Sequence, residues 1–248
     1  MTRCHLWPVL LLAALVLAGC GGAPEPRLGL RPHCAVDGAS LELNGFTGEE
    51  MLTCLDAVDL AGVTQVVLDS PGGSVGIALI IAERLAALDA EMVVRSRCHS
   101  SCANYFLPVA RRIRLQPDAT VILHGSVDGM LLENGASPDV FQAQADFAQR
   151  HGVSLGWLMY RDAGETSSGY GRYLSGAAQT WPEDAGAARI AFVMAEEAMM
   201  RSCLPGVEIE PFEDTGSQRL RADAQARERW RRLGVYPSGD LRCVTPGP

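Results

Sequence analysis

Hydrophobic and polar positions along this chain follow two rhythms. SLELNG (40–45) is apolar at every second residue, and VTQVVLD (63–69) and EMVVRS (91–96) are β-branched runs, so all three read as strands. Between them, TGEEMLTCLDAV (47–58) and SVGIALIIAERLAALDA (74–90) repeat apolar residues at helical spacing. Thr47 with Glu50 three residues on reads as a capping box for the first helix. SPGG (70–73) is a hard turn, and SCANYFLPVA (101–110) is apolar enough for a short buried helix. RRIRL (111–115) and ATVILH (119–124) are strands separated by a Pro-Asp turn. The unbroken apolar run at 63–69 is what a parallel strand buried on both faces requires. Strands alternating with helices predict an α/β fold of parallel β-α-β units.

Beyond Gly125 the pattern loosens. Residues 125–138 and 162–171 read as loops, with DVFQAQADFAQRHG (139–152) a helix from an Asp N-cap to a Gly stop and a further helical stretch near 154–161. PEDAGAARIAFVMAEEAMMRS (182–202) reads as mostly helical, and SQRLRADAQARERWRRLG (217–234) as one Arg-rich helix. That arginine cluster is read as a solvated face, with a grip on anionic lipid or peptidoglycan as the less favoured alternative. No internal repeat is present.

The N-terminus is a targeting segment. Arg3 precedes a short apolar run, Leu10 to Leu17, too short to span a bilayer as a helix. The following Leu17-Ala18-Gly19-Cys20 resembles the lipobox of bacterial lipoproteins. The resemblance implies cleavage after residue 19, acylation (palmitate) at Cys20 and, with Gly21 rather than Asp next, the periplasmic face of the outer membrane. Residues 20–32 form a Gly/Pro-rich tether. A main domain over 33–205 and a C-terminal extension over 206–248 complete the expected organisation.

Composition narrows the function. Hydrophobic residues make up 48% and charged residues 20%, a globular balance. The net charge of -8 argues against a nucleic-acid partner. All 21 positive residues are arginine, which excludes Schiff-base, P-loop and Ser–Lys chemistry. Cys34, Cys54, Cys98, Cys102, Cys203 and Cys243 remain after the leader, an even count that suits disulfides in an oxidising compartment. Six thiols allow fifteen pairings, among which sequence proximity favours 34–54, 98–102 and 203–243. Cys98-His99-x-x-Cys102 lacks a second ligand pair, so no metal and no cofactor is expected.

Three segments carry candidate chemistry, each at or just after the end of a strand: Asp69-Ser70-Pro71-Gly72-Gly73-Ser74, Cys98-His99-Ser100-Ser101-Cys102 and Leu123-His124-Gly125. In open α/β sheets that edge is where sites are built. Two glycines on a strand-to-helix turn leave backbone N–H groups accessible to a developing oxyanion. A serine at a helix start and a histidine at a strand end are the parts of a nucleophile–base pair. His99 is a rival base, and a reduced Cys102 a rival nucleophile.

In their order, these segments resemble the serine-peptidase side of the ClpP/crotonase fold, over about residues 40–125, and its periplasmic branch in particular. The resemblance implies a spiral of β-α-β units with a parallel sheet and a helical C-terminal part. It implies Ser101 as nucleophile, His124 as base, and Gly72 or Gly73 with the Cys102 N–H as oxyanion hole. The family's triad Asp has no counterpart in 175–180, so Asp162 is the nearest acid on a loop, with Asp139, Asp146 and Glu165 also available. The expected function is a lipid-anchored Ser–His hydrolase of the cell envelope, peptidase-like, with a peptide or protein substrate and the capacity to form a homo-oligomer. The alternative is a catalytically inactive relative that binds or scaffolds.

Overall fold

The computed structural model describes residues 31–124, 138–158, 174–175, 192–239 and 241–243. The leader (1–19), Cys20, nearly all of the tether, Asp162 and Glu165 lie outside the described residues, as do 125–137 and 182–191. Among the described residues, no helix is long and apolar enough to cross a membrane.

The described chain opens with an antiparallel hairpin of β1 (His33–Asp37) and β2 (Ser40–Asn44). Helix α1 (Glu49–Asp56), β3 (Gln65–Ser70), α2 (Val75–Ala86) and β4 (Glu91–His99) follow. β2, β3 and β4 are parallel, with Leu43, Leu68 and Val94 in register. Their alternate side chains Leu41, Leu43, Val66, Leu68, Met92 and Val94 are fully buried, as are Ile81 and Leu85 of α2. Burial of each such side chain contributes at most about 1.5–3 kcal/mol, and this shared core holds the strand ends in place.

The opposite face of these strands is mixed, with Val93 of β4 buried beside Val67 but polar residues around them, which corrects the expectation that β3 is buried on both sides. Gln65, Val67 and Asp69 of β3 are only partly buried. Around them runs a cross-strand ladder: Arg97 to Asp69 at 2.9 Å, Arg95 to Glu42 at 2.5 Å, and Glu91 to both Gln65 and Arg114 at 3.1 Å. These pairs are half-buried at the sheet surface and still partly screened by water, so each contributes little to stability, on the order of 1 kcal/mol. Their consequence is a sheet face that is only partly covered.

β4 is long enough to fork. Its first half pairs with β5 (Arg112–Leu115), its second half, Arg97 to His99, with β6 (Thr120–Leu123), all in parallel. Splitting one strand between two partners turns the sheet into a spiral. The segment between β4 and β5 is a π-helical turn, Cys102–Phe106, running into a 3-10 turn, Leu107–Val109, and every residue in both is buried. The sheet continues from β6 through β8 (Phe192–Met194) to β10 (Val235–Pro237), and β9 (Glu208–Ile209) extends β5. β7 (Leu174–Ser175) pairs with β11 (Arg242–Cys243) in a separate two-stranded sheet. The architecture is thus α/β with a mostly parallel sheet, antiparallel at β1–β2 and β6–β8. Helix α3 (Pro138–His151) and the short α4 (Leu155–Leu158) come before β7, and α5 (Glu197–Cys203) after β8.

Three local readings are corrected. Thr47 does not cap α1: Gly48 holds that position without a side-chain bond, and Thr47 is buried. Residues 192–194 are strand rather than helix, because pairing with β6 on one side and β10 on the other outweighs the helix preference of the surrounding alanines. The Arg-rich tail is two helices, α6 (Gly216–Ala222) and α7 (Ala224–Arg232), broken at Asp223. That residue is extended and its carboxylate caps the Gln225 N–H at 2.8 Å. Disulfides join Cys34–Cys54, Cys98–Cys102 and Cys203–Cys243, the pairs that proximity in sequence favoured.

Candidate active site

Neighbouring strands end side by side. Ser70 of β3 lies opposite Cys98 of β4, and His99 opposite Ile122 of β6. The turns that follow, 70–74, 99–101 and 124, therefore meet on one edge of the sheet.

The Ser70–Ser74 turn is held from behind by Thr47. Its N–H donates to the Gly72 carbonyl at 2.9 Å, its carbonyl accepts from the Ser74 N–H at 2.8 Å, and its hydroxyl lies 3.2 Å from that of Ser70. Gly72 has φ +87°, and a Cβ there would come within 2.5 Å of the His99 carbonyl and 2.7 Å of Ser100 Cβ. A Cβ on Gly73 would come within 2.2 Å of the Thr47 carbonyl. Both positions exclude any side chain, and the backbone of the turn lies directly against Ser100.

Ser100 sits at the bend between β4 and the π-helical turn. Its φ is +53°, a left-handed conformation that is costly for a residue with a Cβ. Its N–H donates to the Ile122 carbonyl and its carbonyl accepts from the Asn104 N–H, both at 2.8 Å. The bend aims the Ser100 hydroxyl at His124, with Oγ to Nε2 at 2.5 Å. Ser101 has ordinary helical dihedrals and is 1% exposed. Its Oγ accepts a hydrogen bond from the Gly73 N–H at 2.8 Å. The serine paired with His124 is therefore Ser100, not Ser101. The physical cause is the positive φ, which turns the earlier side chain outward and the later one inward.

The expected oxyanion donors are also rearranged. The Gly72 N–H donates to the buried Ser70 hydroxyl at 3.1 Å, and the Gly73 N–H is engaged by Ser101. With Ser100 as the paired serine, the amide that follows it belongs to Ser101 rather than Cys102. A Gly72 Cβ would lie 2.9 Å from that Ser101 nitrogen, so the amide and the turn are in contact. Cys102 is buried and disulfide-bonded, which removes its thiol as a nucleophile. The Cys98–Cys102 bridge brackets both serines.

Among the described residues, no carboxylate is hydrogen-bonded or ion-paired to His124. Asp139 is exposed at the start of α3, and Asp146 accepts from Gln142 at 2.7 Å. Partial burial lowers the pKa of His124 below the usual imidazole value, opposed by a hydrogen bond from its ring to its own backbone. Phe192 packs edge-on to the ring, with centroids 5.5 Å apart. His99, the rival base, binds Thr120 Oγ1 through Nε2 at 2.7 Å. Burial, with the Arg97 guanidinium second, pushes its pKa down to about 4. It is a neutral structural group.

Ser100 and His124 open onto a cavity of about 570 Å³. Its walls are apolar: Phe46, Ile122, Phe192, Trp230, Leu233 and Val235. The last three come from α7 and the strand after it, which no residue pattern linked to the site. Among the described residues, no group of His, Cys, Asp or Glu side chains could hold a metal ion.

No family model matches the chain, and no curated protein matches it in sequence. Solved structures with a similar fold include a methylmalonyl-CoA decarboxylase (8% identity, 46% of this chain and 54% of that one, TM-score 0.32). An enoyl-CoA hydratase from Shewanella pealeana is 10% identical over 49% of this chain and 60% of that one, with TM-score 0.32. An enoyl-CoA hydratase/isomerase of the crotonase type from Legionella pneumophila is 11% identical over 48% and 57%, again with TM-score 0.32. The chain spans little more than half the length of these enzymes.

Proposed function

We propose that this chain is a Ser–His hydrolase with Ser100 as nucleophile and His124 as general base, acting on a peptide or protein in the cell envelope. The observation that carries the proposal is the 2.5 Å contact between Ser100 Oγ and His124 Nε2, made from a strained bend at the wall of a cavity. Strained dihedrals of this sort cluster at active sites, ligand clamps and switch regions. A neutral imidazole accepting the Ser100 proton is the arrangement that activates a serine hydroxyl.

As Ser100 Oγ bonds to the substrate carbonyl carbon, its proton passes to His124 Nε2. The tetrahedral oxyanion lies beside Gly72, Gly73 and the Ser101 N–H. His124 then protonates the leaving nitrogen, the C–N bond breaks, and an acyl-Ser100 ester remains. Water gives a proton to His124 and attacks that ester, and Ser100 leaves with the proton from His124. The products are a carboxylic acid and an amine. A hydrogen bond to its own backbone would hold the His124 ring in place of an acid. Acylation at Cys20 would hold the protein at the outer membrane, and Cys20→Ser should release it from the membrane fraction.

One observation favours a non-catalytic binding role: both glycine N–H groups of the turn are already satisfied by serine hydroxyls. A fluorophosphonate probe separates the readings. Labelling at Ser100 that is lost in both Ser100→Ala and His124→Ala supports the hydrolase. Folded wild-type protein that takes no label supports the binding role.

A further inference from the structure

We infer that the C-terminal helix α7 and the residues that follow it form a specificity wall, which selects a large, uncharged apolar group on the acyl side of the bond that Ser100 attacks. This rests on the hydrolase reading and deepens it. The wall stands on Trp230 at the end of α7, Leu233 just after it, and Val235 at the start of β10. Trp230 and Phe192 pack on a small core of Ile122, Met194 and Val235 that is separate from the main core. The wall is thus tied to β6 and β8, the strands that carry and flank His124.

Phe46 lines the same cavity, from the loop that braces the Gly72–Gly73 turn. Phe46 and Leu233 are 49% and 61% exposed and line the same cavity, so they form part of one apolar patch rather than scattered surface positions. The arginines of α7 do not line it. Arg231 and Arg232 turn to Glu228 on their own helix, at 2.8 and 3.0 Å. Among the described residues, the only side chains at the cavity with a titratable or hydroxyl group are His99, Ser100 and His124. A charged acyl-side group meets no Arg, Asp or Glu among the described residues lining the cavity, whereas an apolar one covers Phe46 and Leu233.

The test uses the purified full chain. One arm compares p-nitrophenyl octanoate with p-nitrophenyl acetate, and the other compares peptide p-nitroanilides with Leu or Glu supplying the scissile carbonyl. The expected result is a preference in kcat/KM of at least about tenfold for octanoate, for Leu, or for both. The arm with the larger preference tells an acyl ester from a peptide source. Leu233→Asp, at an exposed site that cannot cost the fold much, should cut the preference by about tenfold, and Trp230→Ala should flatten it further. Equal rates for octanoate and acetate together with equal rates for Leu and Glu, in protein that labels at Ser100, would overturn the specificity wall and leave the hydrolase reading intact. Absence of Ser100 labelling would overturn both.

Discussion

The Ser101 hydroxyl accepts a hydrogen bond from the Gly73 N–H at 2.8 Å, one residue from the Ser100 hydroxyl that faces His124. Two adjacent serines therefore serve opposite sides of one bend, the first toward the cavity and the second toward the turn that would receive an oxyanion. Ser101→Ala should keep fluorophosphonate labelling at Ser100, at a rate no lower than wild type, because it frees the Gly73 amide. It should also cost about 0.5–1.5 kcal/mol of stability, the net contribution of the hydrogen bond it removes, because Gly73 is only half-buried and lines the cavity. Loss of labelling in folded Ser101→Ala protein would return the nucleophile role to Ser101.

The acid limb of the labelling rate should fall below pH 6.5. His124 has a lowered pKa through partial burial, so the neutral, proton-accepting form persists to lower pH than a free imidazole allows. A pH profile of the second-order labelling rate measures this. A limb above 6.5 would imply a carboxylate partner that favours the protonated ring.

His99 should make stability pH-dependent. It is held neutral in the folded state down to about 4, against an ordinary value of 6.5. Between those values the unfolded chain binds the extra proton. Stability is therefore full above about 6.5 and lost progressively as pH falls toward about 4. His99→Asn should flatten that slope in thermal melts across this window. An unchanged slope would place the acid sensitivity in other groups.

Gly72→Ala should destabilise the protein by more than about 1 kcal/mol, since it puts a side chain at positive φ and drives a Cβ into the His99 carbonyl. The clash reaches Ser100 as well, so labelling should fall in the fraction that folds. Wild-type stability by denaturant titration would show that the turn relaxes around the methyl group.

Reducing the Cys98–Cys102 bridge should slow labelling more than it lowers melting temperature. The bridge spans four residues, a short loop with little chain entropy to remove, but it brackets the Ser100 bend. Cys98→Ala/Cys102→Ala protein that labels at the wild-type rate would show that the bend is held by its backbone bonds alone.

How far the residues speak for themselves depends on the range of the forces involved. The pattern of apolar positions marked β2, β3, β4, β5 and β6 and the helices between them, because side-chain periodicity is local. The order SPGG, Cys-His-Ser-Ser-Cys and Leu-His was legible for the same reason, as was the convergence of these segments on one sheet edge, which follows from parallel strands. What sequence could not choose was the serine. The identity of two neighbouring hydroxyls says nothing of their direction, and the decision lies in the +53° φ at Ser100. That angle is imposed from outside, by the Ile122 carbonyl on one side and the Gly72 turn on the other. Thr47 likewise reads as a cap by its neighbours in sequence and becomes a brace through Ser70 and Gly72, which are remote in sequence. Phe192–Met194 became a strand only because β6 and β10 offered partners. The cavity wall of Trp230, Leu233 and Val235 joins residues about 130 positions from the serine it faces. The sequence by itself determined which elements form and which chemical groups stand at their ends; tertiary packing decided which of those groups touch, because contacts between distant segments have no period to read.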